Sequence, residues 1–196
     1  KLIAIEGIAR DVTEEFALQE EVTYQASHDQ LTGLMNRYAF DHYLTKLIGK
    51  VNAGEASAVM CFIDMDRFKL VNDSCGHPAG DRLLKEVANL FAEFVNENDL
   101  LARIGGDEFC MIFRNLTLEQ VLDKLDRLLQ HIAAYRFTVD EKVFFVGASI
   151  GVIDIQQPGC SAADLIKAAD NACYKAKSMG RNRYFVYTPT EEQQAL

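Results

Sequence analysis

The sequence predicts an α+β domain, a β-sheet with helices laid against its faces. Three observations carry that prediction. Helix-period and strand-period segments are interleaved along the chain, with one strand–turn–strand unit among them. Residues 57–63 (Ser-Ala-Val-Met-Cys-Phe-Ile) form a near-continuous apolar run, as expected of a central strand buried on both faces. Gly105 and Gly106 stand between two strand-like runs, where a glycine pair signals a tight hairpin whose primed turn needs positive φ.

The elements follow in order. Residues 2–9 read as a strand. Residues 11–27 read as a charged helix, with Asp11 or Thr13 as N-cap and a narrow apolar stripe of Phe16, Leu18, Val22 and Ala26. A lone strand is not stable by itself. Residues 1–10 are therefore expected to be the tail strand of a preceding domain, and 11–27 a linker helix that pairs with a partner helix. The compact domain is expected over 28–188. It begins with a helix from Asn36 to Gly49, with Tyr38, Phe40, Leu44, Leu47 and Ile48 at apolar positions. The strand at 57–63 ends at Asp64-Met65-Asp66. Residues 72–78 read as a turn-rich loop, and 80–95 as a strong helix carrying Leu83, Leu84, Val87, Leu90, Phe91 and Phe94. After the glycine hairpin, a helix is expected over 116–134, starting after Asn115 or Thr117. Residues 143–155 read as one strand, or two joined at Gly151. Residues 161–178 read as a helix with Ser161 as N-cap, Asp164 completing a capping-box variant, and Gly180 as the C′ residue. A last strand is expected over 184–187, followed by a polar tail at 189–196.

Composition narrows the partners. The chain has 196 residues, 49% hydrophobic, enough for one core-forming domain plus an extension. A net charge of −9 repels nucleic acid and anionic membrane, so neither is expected as a partner through bulk electrostatics. The five cysteines form no C-x-x-C pair, which fits unpaired thiols in a reducing cytoplasm rather than a zinc site. No signal peptide and no membrane-spanning apolar run is read. Membrane anchoring through segments beyond this chain stays open. The chain starts at Lys1 without Met and is expected to be a piece of a larger protein.

The chemistry centres on Arg103-Ile104-Gly105-Gly106-Asp107-Glu108-Phe109. Two adjacent carboxylates at a hairpin tip repel each other, and a hard cation such as Mg²⁺ relieves that repulsion. The plainer alternative is an ordinary acidic turn. Asp64, at the end of a buried strand, could join Asp107 or Glu108 and a backbone carbonyl in holding the ion, as in metal-assisted phosphoryl or nucleotidyl transfer. Because Asp64 and Asp66 alternate along the strand, one is expected to face the site and the other away. Asn72 and Asp81 suit the donor edge of guanine, although ordinary turn and first-turn chemistry explains both. Lys175, Lys177, Arg181 and Arg183 gather at a helix C-terminus, where dipole complementation competes with a phosphate clamp. His28 and His77 are candidate acid/base groups, with a structural hydrogen bond as the alternative for His77. No Walker A or G-x-G-x-x-G sequence is present.

Ordered motifs give these pieces a family. They are Asp29-Gln30-Leu31-Thr32-Gly33-Leu34-Met35-Asn36-Arg37, Ile63-Asp64-Met65-Asp66-Arg67-Phe68-Lys69, and Asn72-Asp73-Ser74-Cys75-Gly76-His77-Pro78-Ala79-Gly80-Asp81. The heptapeptide 103–109, Ala148-Ser149-Ile150-Gly151, residues 169–177 and Gly180-Arg181-Asn182 complete the series. Over roughly residues 27–188 the chain resembles GGDEF-domain diguanylate cyclases. The resemblance implies a palm-like α+β domain with a central, mostly antiparallel sheet flanked by helices. It implies condensation of two GTP into cyclic di-GMP with release of two pyrophosphates, across a homodimer holding one GTP per domain. It further implies Mg²⁺, or Mn²⁺ in its place, on Asp64, Asp107 and the Met65 carbonyl, with Glu108 near the metal and the attacking 3′-hydroxyl. Asn72 and Asp81 would read guanine, with His77 on the same substrate-binding loop, and Lys69, Lys177 and Arg181 would bind phosphates. Glu108 and a water on the ion both remain open as the base. Gly7 to Glu14 is similar to the exit of a PAS sensor domain leading into a signalling helix.

One position departs from the family pattern. The product-inhibition motif Arg-x-x-Asp corresponds here to Asn96-Glu97-Asn98-Asp99, so Asp99 lacks its arginine. Asparagine cannot supply the bidentate charge, and weak or absent feedback is expected. The rival reading is a catalytically inactive domain that senses GTP or a cyclic dinucleotide.

Overall fold

The computed structural model describes residues 22–155 and 160–188. The strand read at 2–9, most of the linker helix and the tail at 189–196 lie outside the described residues. Residues 22–27, here α1, are helical. The remaining elements are α2 (Arg37–Asn52), β1 (Ala58–Asp66), α3 (Phe68–Cys75), α4 (His77–Ala92), β2 (Leu100–Arg103), β3 (Glu108–Arg114) and α5 (Leu118–Ala134), then β4 (Arg136–Val139), β5 (Lys142–Phe145), β6 (Gly147–Ile155), α6 (Ala162–Ser178) and β7 (Arg183–Val186).

Five strands form one sheet in the order β2-β3-β1-β6-β7, antiparallel except for the β6–β7 pair. The expected α+β architecture with a mostly antiparallel central sheet is present. β1 is the middle strand, which is why residues 58–63 are apolar without alternation: both faces are covered. Val59, Cys61, Ile63 and Met65 meet α4 and α5 on one face. Ala58, Met60 and Phe62 meet α2 and α6 on the other. The caps are local. Asn36 Oδ1 accepts the Ala39 N–H at the start of α2, and Thr117–Gln120 and Ser161–Asp164 close capping boxes on α5 and α6. At the end of α6, Arg181 N–H donates to Ala176 O and Gly180 N–H to Lys177 O, a Schellman motif with Gly180 at φ 119°.

Four sequence expectations are corrected. Residues 72–75 belong to α3, not a loop. Phe68, Val71 and Cys75 put an apolar stripe on the core at helical spacing, and that outweighs the turn propensity of Asn72-Asp73-Ser74. Gly76, at φ 80°, ends α3, and α4 starts at His77 with Pro78 in its first turn. Asp81 therefore stands in the second turn of α4 rather than the first. The stretch 143–155 divides at Val146, not Gly151, because β5 leaves the main sheet to pair with β4, a strand missing from the sequence reading. Finally, neither Gly105 nor Gly106 adopts positive φ. The hairpin is a wider loop over residues 104–107, closed by Ile104 N–H to Glu108 O at 3.0 Å. Gly105 serves another purpose: a Cβ there would push the Glu108 carboxylate out of its place.

Candidate functional site

The site sits where the ends of β1, β3 and β6 meet the C-terminal turn of α6. Asp64 pairs with Glu108 on one side and Ser149 on the other. Residues two apart on a strand share a face, so Asp64 and Asp66 both lie on the α6 side. The expectation that one would turn away is wrong. They differ in their partners. Asp64 Oδ2 is 2.6 Å from Lys177 Nζ. Asp66, 5% exposed, accepts the Ser149 hydroxyl at 2.8 Å and the Asn182 N–H at 2.8 Å.

Gly151 lets α6 lie this close. A Cβ at that position would run into Ala169 O and sit 2.6 Å from Cys173 N, both helix backbone. The thiol of Cys173 donates to Ser149 O at 3.1 Å beneath the site, and burial pushes its pKa up to about 12. It is a packing group, not a nucleophile.

The hairpin loop is clamped from behind. Arg103 Nη1 donates to both carboxylate oxygens of Asp29, at 2.9 and 3.0 Å, while Arg103 Nε and Nη2 donate to Gly106 O. Burial alone would raise the Asp29 carboxyl. Hydrogen bonds from Thr32 and Arg103 outweigh it and hold Asp29 below the usual carboxylate range. In front, Met65 N–H donates to Asp107 O at 3.1 Å. Sequence reading assigned Asp29 to a family motif but gave it no role; the Asp29-x-x-Thr32 turn was the available signal.

A cavity of about 200 Å³ is lined by Asp64, Met65, Asp66, Asp107, Lys69, Lys177 and Arg181, among others. Six candidates scattered from residue 64 to 181 thus share one space. Glu108 lines a separate cavity of about 710 Å³ between α2 and α6, with Arg37, Asp41 and Asp170. Burial, then the charges of Asp64 and Asp107, raise the Glu108 pKa; burial, then the opposed effects of Lys177 and Asp107, leave Asp64 raised as well. Lys177 moves up, its own burial outweighed by Asp64. Crowded, partly buried carboxylates of this kind are relieved by a hard divalent cation, and the donor set of Asp64, Asp107 and the Met65 carbonyl fits one. Among the described residues no three acidic, imidazole or thiol groups converge as a closed metal cage.

The other candidates lie apart from this cavity. Asn72 Oδ1 is buried with no hydrogen-bond partner, and it lies so close to Gly80 that a Cβ there would collide with it. Asp81 is the next residue after Gly80 and is exposed, as is His77. His28 stacks on Tyr24 with ring centroids 3.9 Å apart, and its Nδ1 is 2.9 Å from Ser27 Oγ. That is a structural role at the end of α1. Of the basic cluster, Lys175 lies over the Phe185 ring, and Arg183 Nε donates to Arg181 O. Asp99 is spent on the fold: it accepts the N–H groups of Asn96 at 2.9 Å and Arg114 at 3.2 Å.

Comparison with known proteins follows the same lines. The family model described as "Diguanylate cyclase, GGDEF domain" matches residues 26–183. A probable diguanylate cyclase of Escherichia coli, DgcE, is 40% identical over 94% of this chain and 17% of its own length. The cyclic di-GMP phosphodiesterase PdeB of Shewanella oneidensis is 36% identical over 95% of this chain and 21% of its own. This chain therefore spans about a fifth of those relatives. The crystal structure of the coiled coil and GGDEF domain of DgcB from Caulobacter crescentus, in complex with c-di-GMP, superposes with a TM-score of 0.83 at 29% identity, over 89% of this chain and 93% of that one. No helix among the described residues is long and apolar enough to cross a membrane. On its motifs, its sheet order and these matches, the chain belongs to the GGDEF domain family.

Proposed function

We propose that this domain is an active diguanylate cyclase, two copies of which face each other, each holding one GTP. The observation that carries the reading is the cavity in which Asp64 and Asp107 stand beside Lys69, Lys177 and Arg181. Carboxylates for a divalent ion beside cations for phosphate oxygens are what a metal-bound triphosphate needs. In each half-reaction a 3′-oxygen bonds to the α-phosphorus of the other GTP, the bond from that phosphorus to the β-bridging oxygen breaks, and pyrophosphate leaves. Two such steps close the cyclic dinucleotide.

Asp64, Asp107 and the Met65 carbonyl would hold Mg²⁺, or Mn²⁺ in its place, and the bound ion would offset the charge on the reacting phosphates. The chain's own groups do the rest. Lys69, Lys177 and Arg181 bind phosphate oxygens and stabilise the departing pyrophosphate. Asn72, whose side chain packs against Gly80 in the first turns of α4, reads guanine together with Asp81, which accepts from the N1–H and N2–H₂ edge of the base. His77 borders the same substrate edge. Glu108, its pKa raised, is suited to take the proton of the attacking 3′-hydroxyl. Residues 1–10 and 11–27 would be the end of an upstream sensor domain and a signalling helix that sets how two catalytic domains, each 28–188, meet.

A regulatory GGDEF domain without turnover is the second reading, favoured by the similarity to PdeB, whose name gives it another activity. Incubation of a verified dimer with GTP and Mg²⁺, followed by chromatography for cyclic di-GMP, separates the two. Product that disappears in a folded Asp107→Ala variant supports the cyclase. Absence of product from the dimer refutes it in favour of the regulatory reading. ATP supplied alongside GTP tests whether a different cyclic dinucleotide is made.

A further inference from the structure

We propose that Asp66 is a positioning residue that sets the phosphate-binding side chains of this site, a role distinct from that of Asp64 two residues earlier. The proposal rests on the cyclase reading above and deepens it. Asp66 is a carboxylate with a side chain only 4% exposed. Burying a charge is costly unless it is hydrogen-bonded, and its strong partners are two hydrogen bonds of 2.8 Å: Ser149 Oγ on β6 and Asn182 N–H after α6. Arg181 Nε lies at the outer limit of an ion pair, 4.0 Å from Oδ1.

The Asn182 bond holds an unusual piece of backbone. Arg181 and Asn182 both adopt left-handed φ, 63° and 45°, directly after the Schellman turn at Gly180. Non-glycine residues in that region carry strain and persist only where surrounding contacts fix them. Gly147 leaves room for the tether: it lies opposite Asp66 in register, and a Cβ there would sit 3.2 Å from Asp66 Oδ2 and 3.1 Å from Asn182 Oδ1.

The turn matters because it aims Arg181. That side chain is 60% exposed and lines two spaces, the cavity it shares with Asp64 and Lys177 and a larger one of about 480 Å³ that it shares with Phe145 and Val146. Available volume does not decide between them. The backbone direction at residues 181–182 does, and Asp66 fixes it. The two strand carboxylates therefore divide the work: Asp64 contacts Lys177 directly, and Asp66 holds the turn that directs Arg181.

The test measures binding rather than turnover. Affinities for the α,β-methylene analogue of GTP and for GMP are determined by calorimetry with Mg²⁺ for the wild type, Asp66→Ala, Asp66→Ser and Asp66→Asn. Asp66→Ser keeps a polar side chain at the position but is too short to reach the Asn182 N–H, so it carries the test if Asp66→Ala does not fold. Asp66→Asn can keep both hydrogen bonds, with its amide oxygen to Asn182 and its NH₂ to Ser149. The expected result is at least a tenfold loss for the triphosphate analogue in Asp66→Ser and Asp66→Ala, less than a threefold loss for GMP, and Asp66→Asn within threefold of wild type for both ligands. Unchanged analogue affinity in Asp66→Ser, equal losses for the analogue and GMP, or an Asp66→Asn as impaired as Asp66→Ser each overturn the proposal while leaving the cyclase reading intact. A wild-type protein that binds neither ligand overturns both.

Discussion

Replacing Gly151 by alanine should damage stability and catalysis together, and the structure sets the scale. An added Cβ would lie 2.6 Å from Cys173 N and collide outright with Ala169 O. Both are backbone atoms of α6, so no rotamer change relieves the contact. Restoring ordinary packing requires α6 to retreat from β6 by about 1 Å or more, in an interior that resists such shifts. Overpacking of this kind costs about 3 kcal/mol at the upper end of the usual range, which for a domain this size lowers Tm by about 6–12 °C. The same retreat carries Lys177 away from Asp64, where the contact is now 2.6 Å. A misplacement of about 1 Å can cost about a hundredfold in rate. Gly49→Ala, on α2 away from the site, is the internal control, since nothing lies within 4 Å of its added Cβ and its φ is not positive. Scanning calorimetry and a cyclic di-GMP assay on both variants give the comparison. A Gly151→Ala protein melting within 2 °C of wild type with unchanged turnover would refute the close-packing argument.

Other substitutions separate positioning from folding. Gly105→Ala should lower cyclic di-GMP formation at least tenfold at nearly unchanged Tm, because the neighbour it strikes is the flexible end of Glu108 rather than backbone; a large Tm loss or full activity would contradict this. Asp29→Asn should cost about 1–2 kcal/mol near neutral pH by breaking the Arg103 contacts. The folded-state pKa of Asp29 lies below its unfolded value, so this stability is present above the ordinary carboxylate range and is lost as pH falls through the folded pKa. The Tm gap between wild type and Asp29→Asn should therefore close in acid, and a gap that widens would reverse the assignment. Product feedback through Asp99 should be weak or absent, because Asn96 replaces the arginine and Asp99 is occupied by two backbone N–H groups. Submicromolar cyclic di-GMP binding that disappears in Asp99→Ala would contradict it.

What could be read in the sequence follows a physical division. Signals carried by a residue and its near neighbours were legible. The apolar run of β1, the stripe of α4, the capping box at Ser161–Asp164 and Gly180 after α6 all appear as the local pattern says. Elements decided by distant contacts were not. The β4 strand exists because Phe137 is buried in the core and Arg82 reaches back from α4 to Thr138 O. The α3 helix exists because Val71 and its neighbours find a core to cover. Gly105, Gly147 and Gly151 were read as turn, unremarked and strand-junction residues. Gly147 and Gly151 matter because of Asp66 and of the α6 backbone at Ala169 and Cys173, which lie far along the chain, and Gly105 because the folded loop brings the Glu108 carboxylate back onto it. At the site, motif order brought Asp64, Asp107, Lys69, Lys177 and Arg181 into consideration together, and the structure gathers them around one cavity. Glu108 lines the neighbouring one. The roles of Asp29 and Asp66 escaped because a buried carboxylate is identified by its donors, and those donors lie on other elements.

Turnover of GTP with Mg²⁺ at a series of protein concentrations tests the central claim most directly, with cyclic di-GMP separated by chromatography. A site completed by two domains predicts a rate that rises faster than linearly with protein at low concentration and becomes proportional once the dimer dominates. A rate strictly proportional to protein from the most dilute sample upward, in a protein verified as monomeric there, would contradict the two-domain site. The absence of cyclic di-GMP at concentrations where the dimer is verified would contradict the cyclase itself.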